Sequence, residues 1–205
     1  MKKIIVANFK MNPPSLKEAN ALFKAYDIKT KHTIILCPPF VYLRKGKYYA
    51  LGAQNCFYKN SGAYTGEISP TMLKNLGCDY VILGHSERKE SIEEIDLKVK
   101  ACLENDLKVI LCISELSQLK NVKDKSIIIA YEPISAIGTG KAYSLKDISR
   151  NYNSIKERLK ENKILYGGSV TSRNAKDILD IVDGVLIGGA SIHKQEFLNI
   201  IKWIY

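Results

Sequence analysis

The chain has 205 residues, 46% of them hydrophobic and 25% charged, with a formal net charge of +10 at pH 7. These are the proportions of a soluble globular protein, long enough for one domain (residues 1–205) with a sizeable core. No apolar run approaches the roughly 18 residues of a membrane span, and the apolar stretch 4–7 behind two lysines is too short for a signal peptide, so a cytoplasmic protein with no membrane partner is expected. Five cysteines (Cys37, Cys56, Cys78, Cys102, Cys112) are scattered, without C-x-x-C spacing, and read as buried thiols in a reducing compartment rather than as disulfides or a zinc site. The positive charge favours anionic partners. With no basic cluster interleaved with aromatics, a small phosphorylated or carboxylated substrate fits better than nucleic acid, and a lysine-rich surface serving solubility is the competing reading.

In chain order the pattern alternates. Strand candidates fall at 3–7, 33–37, 50–53, 80–83, 109–113, 127–131, 164–166 and 184–187. Between them, Ser15 followed by Glu18 opens a helix whose apolar stripe is Leu16, Ala19, Leu22, Phe23 and Tyr26. Ser91 with Glu94 opens another, carrying Ile95, Val99 and Cys102, and further helices are predicted over 144–161, 172–181 and 196–204. Eight strands, each followed by a helix or its remnant, argue for a closed (β/α)8 barrel of α/β class. The connections at 40–49 and 116–126 are short, so reduced helical cover is expected outside strands two, three, five and six.

The polar and glycine-rich signals cluster at one kind of place. Asn8, Lys10, Gln54, Asn55, His85, Glu87, Glu132, Gly167, Gly168, Ser169, Gly188 and Gly189 all sit at or just beyond strand C-termini, which in such a barrel form a single face. Glu132 ends a buried strand, is held extended by Pro133, and precedes an apolar, glycine-containing segment; that is how a general base under a lid is built. A surface acid in an ordinary loop is the alternative. Lys10 supplies a fixed positive charge at the barrel mouth, or is a snorkelling surface lysine. His85, read as lying at a helix start, is expected to be neutral and able to donate to a carbonyl oxygen; a capping histidine is the competing reading. The glycine turns after strands seven and eight bring backbone N–H groups and helix starts toward an oxyanion, and together they read as a phosphate site.

The motifs N-F-K-M-N (8–12), A-Q-N (53–55), T-G-E-I-S-P (65–70), G-H-S-E-R (84–88), Y-E-P (131–133), A-I-G-T-G-K (136–141), Y-G-G-S-V (166–170) and G-G-A-S (188–191) run in order across nearly the whole chain. By them the sequence resembles the triosephosphate isomerase family, whose TIM barrel would here carry several shortened helices. The resemblance implies interconversion of dihydroxyacetone phosphate and D-glyceraldehyde 3-phosphate through an enediolate, a step of glycolysis and gluconeogenesis, with no metal or organic cofactor. It implies Glu132 as the base, His85 as the carbonyl-polarising group, Lys10 positioned by Asn8 as the balancing charge, and Glu87 as the acid that orders the catalytic side chains. Gly138, Ser169, Gly188 and Gly189 match the phosphate-holding positions, and Pro133, Ala136, Ile137, Thr139, Gly140 and Lys141 match the lid, latched by Tyr166 and Ser169.

The sequence departs from the family at Ser135, where a lid-hinge tryptophan is usual, and at Tyr143, where a small residue is usual; an altered open–closed balance is expected. Residues 60–68, with Thr65, Gly66 and Glu67, resemble the loop by which one subunit enters its neighbour, which implies a homodimer. Other phosphate-binding barrels, such as sugar-phosphate epimerases or aldolases, would share the glycine turns without Lys10, His85 and Glu132 in these contexts. The remaining alternative is a non-catalytic barrel of the same kind that binds a phosphate ligand or acts as an interaction protein.

Overall fold

The structure is a computed structural model that describes residues 2–133 and 143–202. Eight short apolar runs, all but the third rich in Ile, Val or Leu, form β1 (Ile4–Asn8), β2 (Thr33–Cys37), β3 (Ala50–Ala53), β4 (Tyr80–Leu83), β5 (Lys108–Ile113), β6 (Ile128–Tyr131), β7 (Ile164–Tyr166) and β8 (Gly184–Ile187). Each pairs in parallel with the next, and β8 pairs with β1, so the sheet closes into a barrel with no free edge. Strand alternation sorts the side chains into two sets. Val6, Ile35, Cys37, Ile82, Ile110, Cys112, Ala130, Leu165 and Leu186 pack together inside the barrel. Their neighbours, such as Ile5, Leu36, Val81, Val109 and Ile129, pack outward with helix residues that include Phe23, Ile155 and Phe197. At the closing seam Gly184 admits no side chain, because a Cβ there would lie 2.1 Å from the carbonyl oxygen of Ile4.

The outer layer is α1 (Leu16–Tyr26), α2 (Pro70–Leu76), α3 (Ile92–Glu104), α4 (Leu145–Arg158), α5 (Ala175–Ile181) and α6 (Lys194–Lys202). Three begin at the serines that the sequence marks. The backbone N–H groups of Glu18, Glu94 and Asp147 donate to the hydroxyls of Ser15, Ser91 and Ser144 at 3.3, 3.2 and 3.1 Å. Aromatic packing fixes α1 and α6 against each other and against the end of β1. Tyr26 and Phe197 are fully buried with ring centroids 4.4 Å apart, and Phe9 stacks on Phe23. Burying each such ring is worth roughly 1.5–3 kcal/mol over leaving it exposed.

The economies in the barrel lie where the connections are short. Only a 3-10 turn, Phe40–Tyr42, separates β2 from β3, and another, Leu116–Leu119, separates β5 from β6. The β3–β4 crossover keeps a helix that the apolar pattern does not announce. In α2, Met72 and Leu76 are exposed and only Pro70 and Leu73 are buried, so no stripe is legible. Its signals are at the ends: the Ser69 hydroxyl accepts from Met72 N, Pro70 opens the first turn, and Gly77 closes it at φ 96°. The start expected at Ser172 falls instead at Ala175; Ser172 lies in the preceding turn, where its N–H donates to Glu196 at 2.6 Å and its hydroxyl at 2.9 Å. The five cysteines are free and buried. No helix among the described residues is long and apolar enough to cross a membrane.

Candidate active site

Lys10, His85 and Glu132 converge at the C-terminal mouth of the barrel, from the ends of β1, β4 and β6. Lys10 holds a left-handed backbone, φ 52°, which a non-glycine residue keeps only when its surroundings hold it there. Two side chains do so. Asn8 accepts from the Lys10 N–H at 3.0 Å, and the amide of Gln54 donates to the carbonyls of Lys10 and Cys37, both at 2.8 Å. Below them the buried Ser191 donates to the Asn8 carbonyl at 3.1 Å, while its own carbonyl accepts from the Tyr26 hydroxyl at 2.9 Å. The ammonium of Lys10 reaches Glu87 at 2.5 Å.

His85 is 6% exposed. Its Nδ1 accepts from the Glu87 backbone N–H at 3.3 Å, which places the proton of a neutral ring on Nε2, 3.4 Å from Glu132 Oε2. The pKa of His85 is lowered, first by burial and then by Lys10, against the opposing carboxylate of Glu87. This corrects the expected cause. His85 is not at a helix start: it lies in a separate turn, with Arg88 N donating to its carbonyl, and α3 begins only at Ile92, capped by Ser91. Desolvation, not a helix dipole, keeps the imidazole neutral.

Glu132 is 3% exposed. Its N–H donates to the Ile113 carbonyl at 2.8 Å, which extends the β5–β6 ladder by one residue and points the side chain into the mouth. Burial raises its pKa from 4.5 to about 7, opposed in part by the Cys112 thiol, which donates to Oε1 at 3.2 Å, and by Lys10. A carboxylate that titrates near neutrality, beside a neutral imidazole proton donor, is the pairing that general-base and electrophilic chemistry require. Gly167 leaves room for it, since a Cβ there would sit 2.5 Å from Glu132 Cγ.

The three side chains line a cavity of about 360 Å³ with Gly167, Ser169, Gly188 and Gly189. A smaller cavity of about 210 Å³ shares only His85 and Glu132 with it and touches neither Lys10 nor the glycine turns. Ser169 has φ 50°, and Gly189 opens the 3-10 turn Gly189–Ile192 directly after β8. Of the lid residues, Pro133 is buried at the end of β6; Ser135, Ala136, Ile137, Gly138, Thr139, Gly140 and Lys141 lie outside the described residues. On the far flank of that segment Tyr143 N donates to the Tyr166 hydroxyl at 2.9 Å. Thr65, Gly66 and Glu67 do not line this cavity. They are exposed on a loop tied at its base by the Phe57 N–H donating to Ile68 O at 2.8 Å and by the packing of Phe57 against Tyr58 and Tyr64.

The sequence reading did not assign roles to Gln54, Cys112, Ser191 or Tyr26. Only Gln54 and Ser191 carried a signal, by lying in motifs at strand ends; Tyr26 reads as one more apolar helix position and Cys112 as one more buried strand residue.

Fold and site together define an α/β-barrel isomerase of the aldose–ketose kind. The family model described as "Triosephosphate isomerase" matches residues 3–204. Similar proteins named triosephosphate isomerase include those of Coprinopsis cinerea (39% identical, covering 95% of each chain) and Thermodesulfovibrio yellowstonii (40%, covering 98% of this chain and 99% of that one). That of Wolbachia sp. subsp. Brugia malayi is 39% identical and covers 100% of this chain and 98% of its own. The chain belongs to the triosephosphate isomerase family. The alignments with the first two run over 239 and 245 positions against a chain of 205, so those relatives carry residues with no counterpart here, in keeping with the abbreviated crossovers.

Proposed function

We propose that the residues gathered at the barrel mouth divide the isomerisation of dihydroxyacetone phosphate and D-glyceraldehyde 3-phosphate as follows. Glu132 takes the proton from the carbon beside the carbonyl and returns it to the neighbouring carbon. The Nε2–H of neutral His85 donates to the carbonyl oxygen as negative charge develops there, and Lys10, held by Asn8, balances that charge. Glu87 keeps Lys10 and His85 in place between turnovers. Ser169, Gly188 and Gly189 hold the phosphate, joined by Gly138 from the lid formed by Pro133, Ala136, Ile137, Thr139, Gly140 and Lys141. An acid–base pair of this kind contributes about 10²–10⁴-fold, and the remainder comes from charge stabilisation in a site closed to water. The observation that carries the reading is the 3.4 Å approach of His85 Nε2 to a Glu132 carboxylate raised to about 7, within one cavity that Lys10 and both glycine turns also line.

The chain works as one domain and as a homodimer in the cytoplasm, serving glycolysis and gluconeogenesis. The dimer is supported by the exposed, internally braced loop around Thr65 and by Met11, 93% exposed beside Lys10. The reducing compartment is supported by five free cysteines. The test is turnover of dihydroxyacetone phosphate by purified protein in a coupled assay, with Glu132→Gln and His85→Ala alongside. Wild-type turnover that either substitution leaves intact would refute the assignment. Sedimentation that finds a fully active monomer at micromolar concentration would refute the dimer.

A further inference from the structure

The six residues from Ser169 to Asn174 separate the phosphate-side turn from α5, and they are not helical. The turn satisfies some of their backbone groups itself, the Thr171 carbonyl accepting from the N–H groups of Asn174 and Ala175 at 3.2 and 2.9 Å, and others need partners from side chains. Asn174 supplies two of them at once. Its amide Nδ2 donates to the carbonyl of Ser169 at 3.1 Å, and its Oδ1 accepts from the Thr171 N–H at 2.8 Å. Only one orientation of the amide satisfies both groups, because one end must donate and the other accept. The side chain makes no capping bond to α5, although Asn174 stands at that helix's N-cap. Its amide reaches back across the turn rather than forward into the helix. At the far end of the brace Ser169 sits at φ 50°, a conformation that a serine leaves when nothing holds it.

From this geometry we propose that Asn174, which lies outside the residues lining the cavity, is a positioning residue for the phosphate end of the substrate. Its amide fixes the Ser169–Thr171 backbone in the conformation that presents the turn to the phosphate. The inference rests on the reading of Ser169 as a phosphate-holding residue. Loss of the brace weakens the grip on the phosphate and leaves the proton transfers at Glu132 and His85 untouched, so the effect falls on binding and not on the chemical step.

The decisive variant is Asn174→Ser. The Asn174 side chain makes no capping bond to α5, so the helix keeps its start without it, and a hydroxyl cannot span both backbone groups. In the purified full-length protein the KM for dihydroxyacetone phosphate is expected to rise about five- to tenfold, the loss of one or two net hydrogen bonds' worth of support. The inhibition constant of inorganic phosphate rises by the same factor, while kcat stays within about twofold. Asn174→Ala, which removes both bonds and adds no charge beside the phosphate, carries the same expectation should the serine variant not fold. A folded variant with unchanged KM and unchanged phosphate inhibition would overturn the proposal, as would a fall in kcat with KM untouched. If phosphate fails to compete with substrate in the wild-type protein, the reading of Ser169 falls first and takes this inference with it. Normal competition in wild type and variant alike overturns the role of Asn174 alone.

Discussion

Replacing Glu132 by glutamine is expected to make the protein more stable while removing its base. The carboxyl is 3% exposed, and burial raises its pKa from 4.5 to about 7. That difference means ionisation is disfavoured in the fold, relative to the unfolded chain, by roughly 3 kcal/mol. Below about pH 4.5 the group is neutral in both states and costs nothing. Between 4.5 and about 7 the unfolded chain gives up its proton first, so this contribution to stability declines as pH rises. Above about 7 both states are ionised and the full cost persists. Glutamine is neutral throughout, fills the same volume, and its amide oxygen can still accept from Cys112. For a chain of this length 1 kcal/mol moves Tm by about 2–4 °C, so the variant should melt about 6–12 °C above wild type at pH 8 to 9. The gain should shrink steadily on acidification and vanish near pH 4.5. Circular dichroism melts of both proteins across that range are sufficient. A variant no more stable than wild type at pH 8, or a gain independent of pH, would refute the claim that Glu132 is a desolvated carboxylate.

Activity should report the same group. The acid limb of kcat/KM is expected near pH 7 with unit slope, since Glu132 must be ionised to act, and Cys112→Ala should move that limb to higher pH by removing a donor that favours the ionised form. A pH profile flat from 5.5 to 8, beyond the titration of the substrate phosphate near about 6, would contradict it. Gly167→Ala should lower kcat/KM by about 10²-fold with the fold retained, because the new methyl displaces Glu132 from its position; steady-state kinetics that match wild type would show that the two are not packed as described. Lys98 is 1% exposed and lies 2.6 Å from Glu90 and 2.7 Å from Glu94. Of the two cations Arg88 and Lys98, Lys98→Met leaves Glu90, on a side chain only 5% exposed, with Arg88 alone, and should cost about 1.5–3 kcal/mol in urea denaturation, with a loss under about 0.5 kcal/mol counting against it.

Most strands were legible because they are runs of β-branched and leucine side chains; β3, Ala-Leu-Gly-Ala, is the exception and was legible from its place in the alternation. A buried parallel barrel needs nothing more elaborate. The starts of α1, α3 and α4 were legible from Ser15, Ser91 and Ser144, since a cap is formed within three residues of itself. Helix α2 escaped notice because seven residues with one buried leucine make no stripe, and the partner of Ser172, Glu196, lies 24 residues away and gives no local sign that Ser172 belongs to the turn before α5. The candidate site was visible as a list of residues at strand ends. Its electrostatics were not: the neutrality of His85 was expected from a helix dipole and arises instead from burial.

What the sequence determined by itself is therefore the order of elements, the closure they favour and the residue types offered at the barrel mouth, because alternation, capping and turn chemistry act between near neighbours along the chain. Tertiary structure alone decided that Glu132 titrates near neutrality, that Gln54 and Ser191 hold the Asn8–Lys10 corner, and that Asn174 braces Ser169. Desolvation is set by everything packed around a group, and the walls around Glu132 come from β1, β4, β5 and β7 at once. No spacing along the chain encodes that enclosure; it exists only once the barrel has closed.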